Sequence, residues 1–195
     1  MANVLIVYAT KQGQTEKIAR RIAQTLGALG HVAELLDADR NAGDLELGRF
    51  GSVVIGAPIH ARGYPRSIVR FVRRHRPALE RTRAVFFSVG LAVASRTSDG
   101  RAQTLAIVEE FVKQTGFRPA RVELFAGALL YTKYNPLIRF IMRRISAKEG
   151  GDTDTSRDYE YTDFEAVERF ARELVENRPG DGPTPRAPKP LESRP

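Results

Sequence analysis

Apolar runs alternate with amphipathic helical segments along most of the chain, and this restricts the fold more than any other property of the sequence. Asn3 to Ala9 is almost continuously apolar, as a strand covered on both faces requires. A helix follows from near Thr15, with Ile18, Ile22 and Leu26 recurring every fourth residue and Gly30 placed to end it. Val32 to Leu36 and Ser52 to Ala57 read as the second and third strands, with a short helix possible at Asp44 to Gly48. Pro65 suits the first turn of a helix whose apolar face holds Ile68, Val69, Phe71 and Val72. Arg83 to Val89 and Val122 to Ala126 supply two more strands. The helix between them, Ala102 to Thr115, is expected to bury Leu105, Val108, Phe111 and Val112. A last helix, Thr162 to Asn177, offers Val167, Phe170, Leu174 and Val175. Strands alternating with helices imply a parallel sheet with right-handed crossovers, hence a doubly wound α/β fold of five strands in the order 2-1-3-4-5.

Such a sheet binds ligands beyond the carboxyl ends of its strands, beside the point where strand order reverses. The loop after the first strand, Thr10-Lys11-Gln12-Gly13-Gln14-Thr15, has phosphate-cradle chemistry. A helix start leaves N–H groups unpaired and carries about half a positive charge. Gly13 permits close backbone approach, and the hydroxyls of Thr10 and Thr15 and the amides of Gln12 and Gln14 can donate to phosphate oxygens. The competing reading is an ordinary strand-to-helix turn with Thr15 as N-cap. After the third strand, Pro58-Ile59-His60-Ala61-Arg62-Gly63-Tyr64-Pro65 forms a tight loop in which Tyr64 offers a ring to a planar ligand. After the fourth, Ser88-Val89-Gly90-Leu91-Ala92 is small and apolar enough to line a flat pocket.

Composition narrows the chemistry. At 195 residues the chain suits one domain, and without cysteine it has neither disulfides nor thiolate catalysis, which fits a reducing cytoplasm. The three histidines, His31, His60 and His75, have no metal-ligand spacing. Ala84 to Ala94, the longest nearly apolar stretch, is too short to cross a bilayer. The formal charge of +8 favours anionic partners. From Arg62 to Arg83 the arginines at 62, 66, 70, 73, 74, 76, 81 and 83 face a single acid, Glu80. No nucleic-acid-binding motif accompanies them, and a solvated basic face is the competing reading.

The loop Thr10 to Thr15 resembles the FMN-phosphate loop of flavodoxins, and lacks both the Gly-Lys-Ser/Thr of a Walker loop and a three-glycine dinucleotide fingerprint. Further motifs sharpen the likeness: Val54-Ile55-Gly56-Ala57, Phe87-Ser88-Val89, Ala126-Gly127-Ala128-Leu129 with Tyr131 and Tyr134, Gly150-Gly151-Asp152-Thr153-Asp154-Thr155, and Tyr161-Thr162-Asp163. Together they are similar to the bacterial flavodoxin-like, menaquinone-dependent protoporphyrinogen oxidases. The resemblance implies FMN as cofactor, held by Thr10 to Thr15, by Pro58, Ile59, His60, Ala61, Gly63 and Tyr64, by Ser88 to Ala92, and by Gly151, Asp152 and Thr153. It further implies oxidation of protoporphyrinogen IX to protoporphyrin IX in haem biosynthesis, with a membrane quinone as acceptor. The flavin carries the redox chemistry, so no catalytic acid/base dyad is needed. His60 and Tyr64 are the only proton-handling groups expected near the ring.

The positive charge separates this chain from electron-shuttle flavodoxins, which are generally acidic. Porphyrinogen propionates are suited to arginines such as Arg62, Arg66 or Arg96. Residues 135–148 place Leu137, Ile138, Ile141 and Ile145 in a stripe beside Arg139, Arg143 and Arg144. Such a helix can lie on an anionic membrane, pack on its own domain or join a homo-oligomer. The reading is a cytoplasmic protein, with peripheral contact to the cytoplasmic membrane one of the roles open to this helix. An FMN electron-transfer module and an NAD(P)H:quinone reductase are the alternatives. Residues 178–195, with prolines throughout, are expected to be a disordered tail beyond a domain of residues 1–177.

Overall fold

A computed structural model describes residues 1–40, 45–94, 99–148 and 151–176. The main sheet has five parallel strands: β1 (Asn3–Tyr8), β2 (Val32–Asp37), β3 (Ser52–Pro58), β4 (Arg83–Gly90) and β5 (Val122–Ala126), in the order β2-β1-β3-β4-β5. Alternate side chains of the central strands feed two cores. Leu5, Val7, Val53, Ile55 and Phe86 meet Ile68, Phe71 and Val72 of α2 (Arg66–Arg81) and Val108 and Phe111 of α3 (Asp99–Thr115). On the opposite face Val4, Ile6, Val54, Val85 and Phe87 meet Ile18, Ile22 and Leu26 of α1 (Gln14–Ala28) and Val167, Phe170 and Leu174 of α5 (Phe164–Glu176). Full burial of each such side chain contributes about 1.5–3 kcal/mol, so the run Val4 to Val7 alone anchors β1 firmly. Gly56 is sterically obligatory in β3, because a Cβ there would lie 2.0 Å from the Phe87 ring.

Two expectations change. In α3 the buried position is Thr104, 1% exposed, while Leu105 is 40% exposed. The Thr104 hydroxyl donates to the Gly100 carbonyl at 2.9 Å, which lets a polar residue occupy the inner face. The short helix between β2 and β3 is a 3-10 turn at Leu47–Arg49, with Leu47 buried. The tail expected at 178–195 lies outside the described residues.

The segment after β5 forms a small unit of its own. β6 (Ala128–Leu129) pairs antiparallel with β7 (Tyr159–Glu160), and between them lie a 3-10 turn and α4 (Pro136–Lys148). Asn135 caps α4 by accepting the Ile138 N–H at 2.9 Å, and Pro136 occupies the first helical position, where no N–H is required. Beneath α4, Leu129, Tyr131 and Tyr134 are buried together, with Leu91, Met142, Tyr159 and Tyr161 packed against them.

Candidate cofactor-binding site

The loops after β1, β3, β4 and β5 meet around a cavity of about 370 Å³ at the carboxyl end of the sheet. At one end lies the start of α1. Gly13, at φ +93°, is its N-cap, and no side chain accepts a hydrogen bond from the first turn. The Thr10 hydroxyl is occupied in folding the loop, accepting the Gly13 N–H at 2.9 Å. Thr15 lines the cavity from inside the first turn and is 1% exposed, so it is not the N-cap. What remains for an anion is a set of backbone donors and the helix dipole.

Elsewhere the cavity is lined by Pro58, Ile59, His60 and Ala61, by Val89, Gly90 and Leu91, by Gly127 and Ala128, and by Tyr134, Ile138 and Met142. Gly90 lies close to this wall, for a Cβ there would stand 3.2 Å from Ile59 Cδ1. Ala61 and Arg62 both have positive φ, 48° and 61°. His60 and Gly63 exchange both backbone hydrogen bonds, at 2.9 and 3.0 Å. That combination is a two-residue primed turn, built without the glycine or asparagine that usually relieves it. A phosphate end with backbone donors and an apolar slot beyond it suit a phosphorylated planar cofactor.

A flavodoxin-domain family model matches residues 5–156. Protoporphyrinogen IX dehydrogenase (quinone) of Escherichia coli strain K12 is 35% identical over 171 residues, 88% of this chain and 93% of that protein. A protein of the same name from Leishmania major is 31% identical over 172 residues, 88% of this chain and 74% of its own length. This chain belongs to the flavodoxin-type protoporphyrinogen IX dehydrogenase family. Oxidised flavodoxin 1 from Bacillus cereus superposes with a TM-score of 0.54 at 14% identity, covering 91% of this chain and 99% of that one. A short-chain flavodoxin associated with a bacterial microcompartment gives 0.51 at 16%, over 90% and 98%. These two show the shared fold.

Several residues expected in the family's cofactor site have other places. The Tyr64 ring does not line this cavity; it packs edge-on against Phe86 and Phe111, each 5.1 Å away between centroids. Its hydroxyl donates to Ser88 Oγ at 2.8 Å, and burial pushes its pKa up to about 12. Ser88 is accordingly fully buried and occupied by Tyr64. Gly63 lines a neighbouring groove between α2 and α3, and Ala92 is not among the cavity-lining residues.

The amides of Gln12 and Gln14 brace the loop against the unit after β5. Gln14 Nε2 donates to Glu160 Oε1 at 2.7 Å and to Thr162 Oγ1 at 2.8 Å, and the Tyr134 hydroxyl donates to Gln12 Oε1 at 3.3 Å. Gly151, Asp152 and Thr153 are exposed and outside the cavity wall. Their part is to close the tyrosine cluster: the Asp152 carbonyl accepts from Tyr131 at 2.8 Å and Ser146 at 2.7 Å, and its carboxylate accepts from Tyr161 at 2.6 Å. Burial together with that carboxylate raises the Tyr161 pKa to about 12.

Arg62 and Arg66 border the α2–α3 groove, Arg66 also faces a cleft on the other side of α2, and Arg96 lies outside the described residues. Gly127, Ala128, Tyr134, Ile138 and Met142 line the cavity beyond the residues expected there. The Tyr131–Tyr134 pair was visible as a motif, but only the long return from β5 to β7 puts it above the cavity.

Proposed function

We propose that this protein oxidises protoporphyrinogen IX to protoporphyrin IX with FMN as cofactor and a membrane quinone, menaquinone, as acceptor, in haem biosynthesis. The observation that carries this reading is the position of α4. Met142 and the partly exposed Ile138 (40%) line the cavity, while Leu137, Phe140, Ile141 and Ile145 are 67%, 56%, 42% and 48% exposed. A cavity that takes electrons from an anionic macrocycle and delivers them into lipid needs such a wall. The match along 93% of the Escherichia coli protein supports the same substrate and acceptor class.

The residues present fit FMN. The unpaired N–H groups at the start of α1 are suited to its phosphate, and Ile59, Val89, Leu91 and Met142 supply apolar surface for its ring. Bound there, FMN supplies two-electron redox chemistry, so loss of six electrons and six protons from the porphyrinogen corresponds to three quinones becoming three quinols. Ile138 and Met142 add apolar surface to the cavity wall. Arginines around the start of α2, Arg66 among them, provide cationic partners for propionates. The positive sign also argues against a shuttle that docks on basic proteins.

Anaerobic reduction of the purified FMN-loaded protein by protoporphyrinogen IX, followed by reoxidation with menaquinone, tests the reading. Bleaching of the flavin absorbance and its recovery are expected. Bleaching only by NADPH or by a reduced redox protein would replace it with one of the alternatives.

A further inference from the structure

A second opening shares two walls with the cofactor cavity. It is a cleft of about 460 Å³ beside the start of α2, and Lys11 and His60 line both spaces. The lining divides by chemistry. Ala38, Tyr64, Pro65 and Phe71 provide apolar surface, while Lys11, Arg66, Arg70, Arg74 and His75 provide basic groups against one acid, Asp39.

Arg66, Arg70 and Arg74 recur every fourth residue, so they climb one face of α2 in steps of about 6 Å. Arg66 comes first, in the turn that directly follows the β3 loop. Like charges at this spacing repel by about 0.2–0.5 kcal/mol per pair, and no acid lies on α2 before Glu80 to offset them. Other arginines of the helix are engaged elsewhere: Arg73 donates to the Gln114 carbonyl at 2.8 Å and Arg76 to Glu80 at 2.8 Å. Among the described residues neither Arg66 nor Arg70 has an ion-pair or hydrogen-bond partner. Ser67 lines the same cleft, and its buried Oγ is also without a hydrogen-bond partner among those residues.

We propose that this cleft binds the dicarboxylate edge of a tetrapyrrole, with Arg66 and Arg70 each taking one carboxylate while the macrocycle extends past His60 toward the cofactor cavity. The assignment rests on the function proposed above and locates its substrate. An inorganic anion would use the arginines but not the apolar surface, and a neutral quinone would use the apolar surface but not the arginines. A flat apolar molecule with two adjacent carboxylates uses both.

The test titrates the FMN-loaded protein with protoporphyrin IX, the stable product that keeps both carboxylates, and follows its fluorescence. Arg66→Gln and Arg70→Gln are each expected to weaken binding about tenfold, as loss of one charge-assisted hydrogen bond predicts, and the double variant more. Arg81→Gln, at the far end of α2, should change it less than about twofold. Protoporphyrin dimethyl ester should bind wild type and double variant alike. Unchanged protoporphyrin affinity in the double variant, with FMN retained and wild-type porphyrinogen oxidation intact, overturns the cleft and leaves the function standing. Wild-type protein that neither binds the porphyrin nor is reduced by the porphyrinogen overturns both.

Discussion

Gly13 and Tyr64 show how a residue singled out for a ligand can carry a structural role as well. Gly13 reads as a point of close ligand approach, and the structure adds a second cause: a Cβ there would meet no protein atom within 4 Å, but its φ of +93° strains any other residue. Gly13→Ala should therefore cost about 1–2 kcal/mol in stability through backbone strain and weaken FMN binding with it, because the same backbone aims the first-turn donors. Denaturant unfolding beside flavin-fluorescence titration separates the cases: weaker FMN binding at undiminished stability would restore the contact explanation. Tyr64 behaves as core. Tyr64→Phe removes the donor to buried Ser88 and should cost about 1 kcal/mol while leaving FMN affinity nearly unchanged. A large fall in flavin affinity would return the ring to the cofactor. Neither cause can be read in a sequence, since φ and ring packing emerge only once the loops close on the sheet.

At the scale of elements, legibility followed burial. β1, β3 and β4 are apolar on both faces and legible as strands, their order following the known pattern for five such strands, whereas β2 lies at the sheet edge with half-exposed side chains and gives only a short signal. On α3 Val108 and Phe111 are buried as expected and only Leu105 is misplaced, because hydropathy favours it over a threonine whose hydroxyl is satisfied within the helix. β6 and β7 were not legible, being two residues each and paired across about thirty residues of chain. They matter nevertheless, because β7 clamps the start of α1: Lys17 Nζ lies 2.7 Å from both Glu160 oxygens, and Gln14 joins them. Burial alone would raise the Glu160 carboxyl, but hydrogen bonds from Lys17 and Gln14 together with the lysine charge outweigh it and hold the pKa below its ordinary value. A depressed carboxylate contributes stability that is present above its unfolded pKa and lost as pH falls through the folded one. Thermal melting of the wild type should thus fall more steeply than that of Glu160→Gln as the buffer is taken from neutral to acid through the carboxylate range. Parallel curves would mean that the clamp adds nothing to folding.

For the molecule as a whole, charge and apolar exposure converge on one helix. The chain carries +8, and α4 contains no acid while presenting its most exposed apolar side chains, Leu137 and Phe140, to solvent. No helix among the described residues is long and apolar enough to cross a membrane, so any lipid contact through α4 would have to be interfacial. Lys133, Arg143 and Arg144 near an anionic surface would contribute about 1 kcal/mol each, screened as salt shortens the Debye length from about 8 Å at 0.15 M to about 3 Å at 1 M. Apolar insertion would persist in salt. Vesicles containing anionic lipid should therefore carry the wild type upward in flotation, less so at high salt, and neutral vesicles should carry less still. The double variant Leu137→Asp, Phe140→Asp should remain below while folding normally, since both side chains point to solvent. Its porphyrinogen oxidation should be retained with a water-soluble quinone and fall with menaquinone held in the vesicles. If wild type and variant float alike, or neither floats, the apolar face instead covers a second copy or another protein, and sedimentation that lightens in the variant would identify self-association.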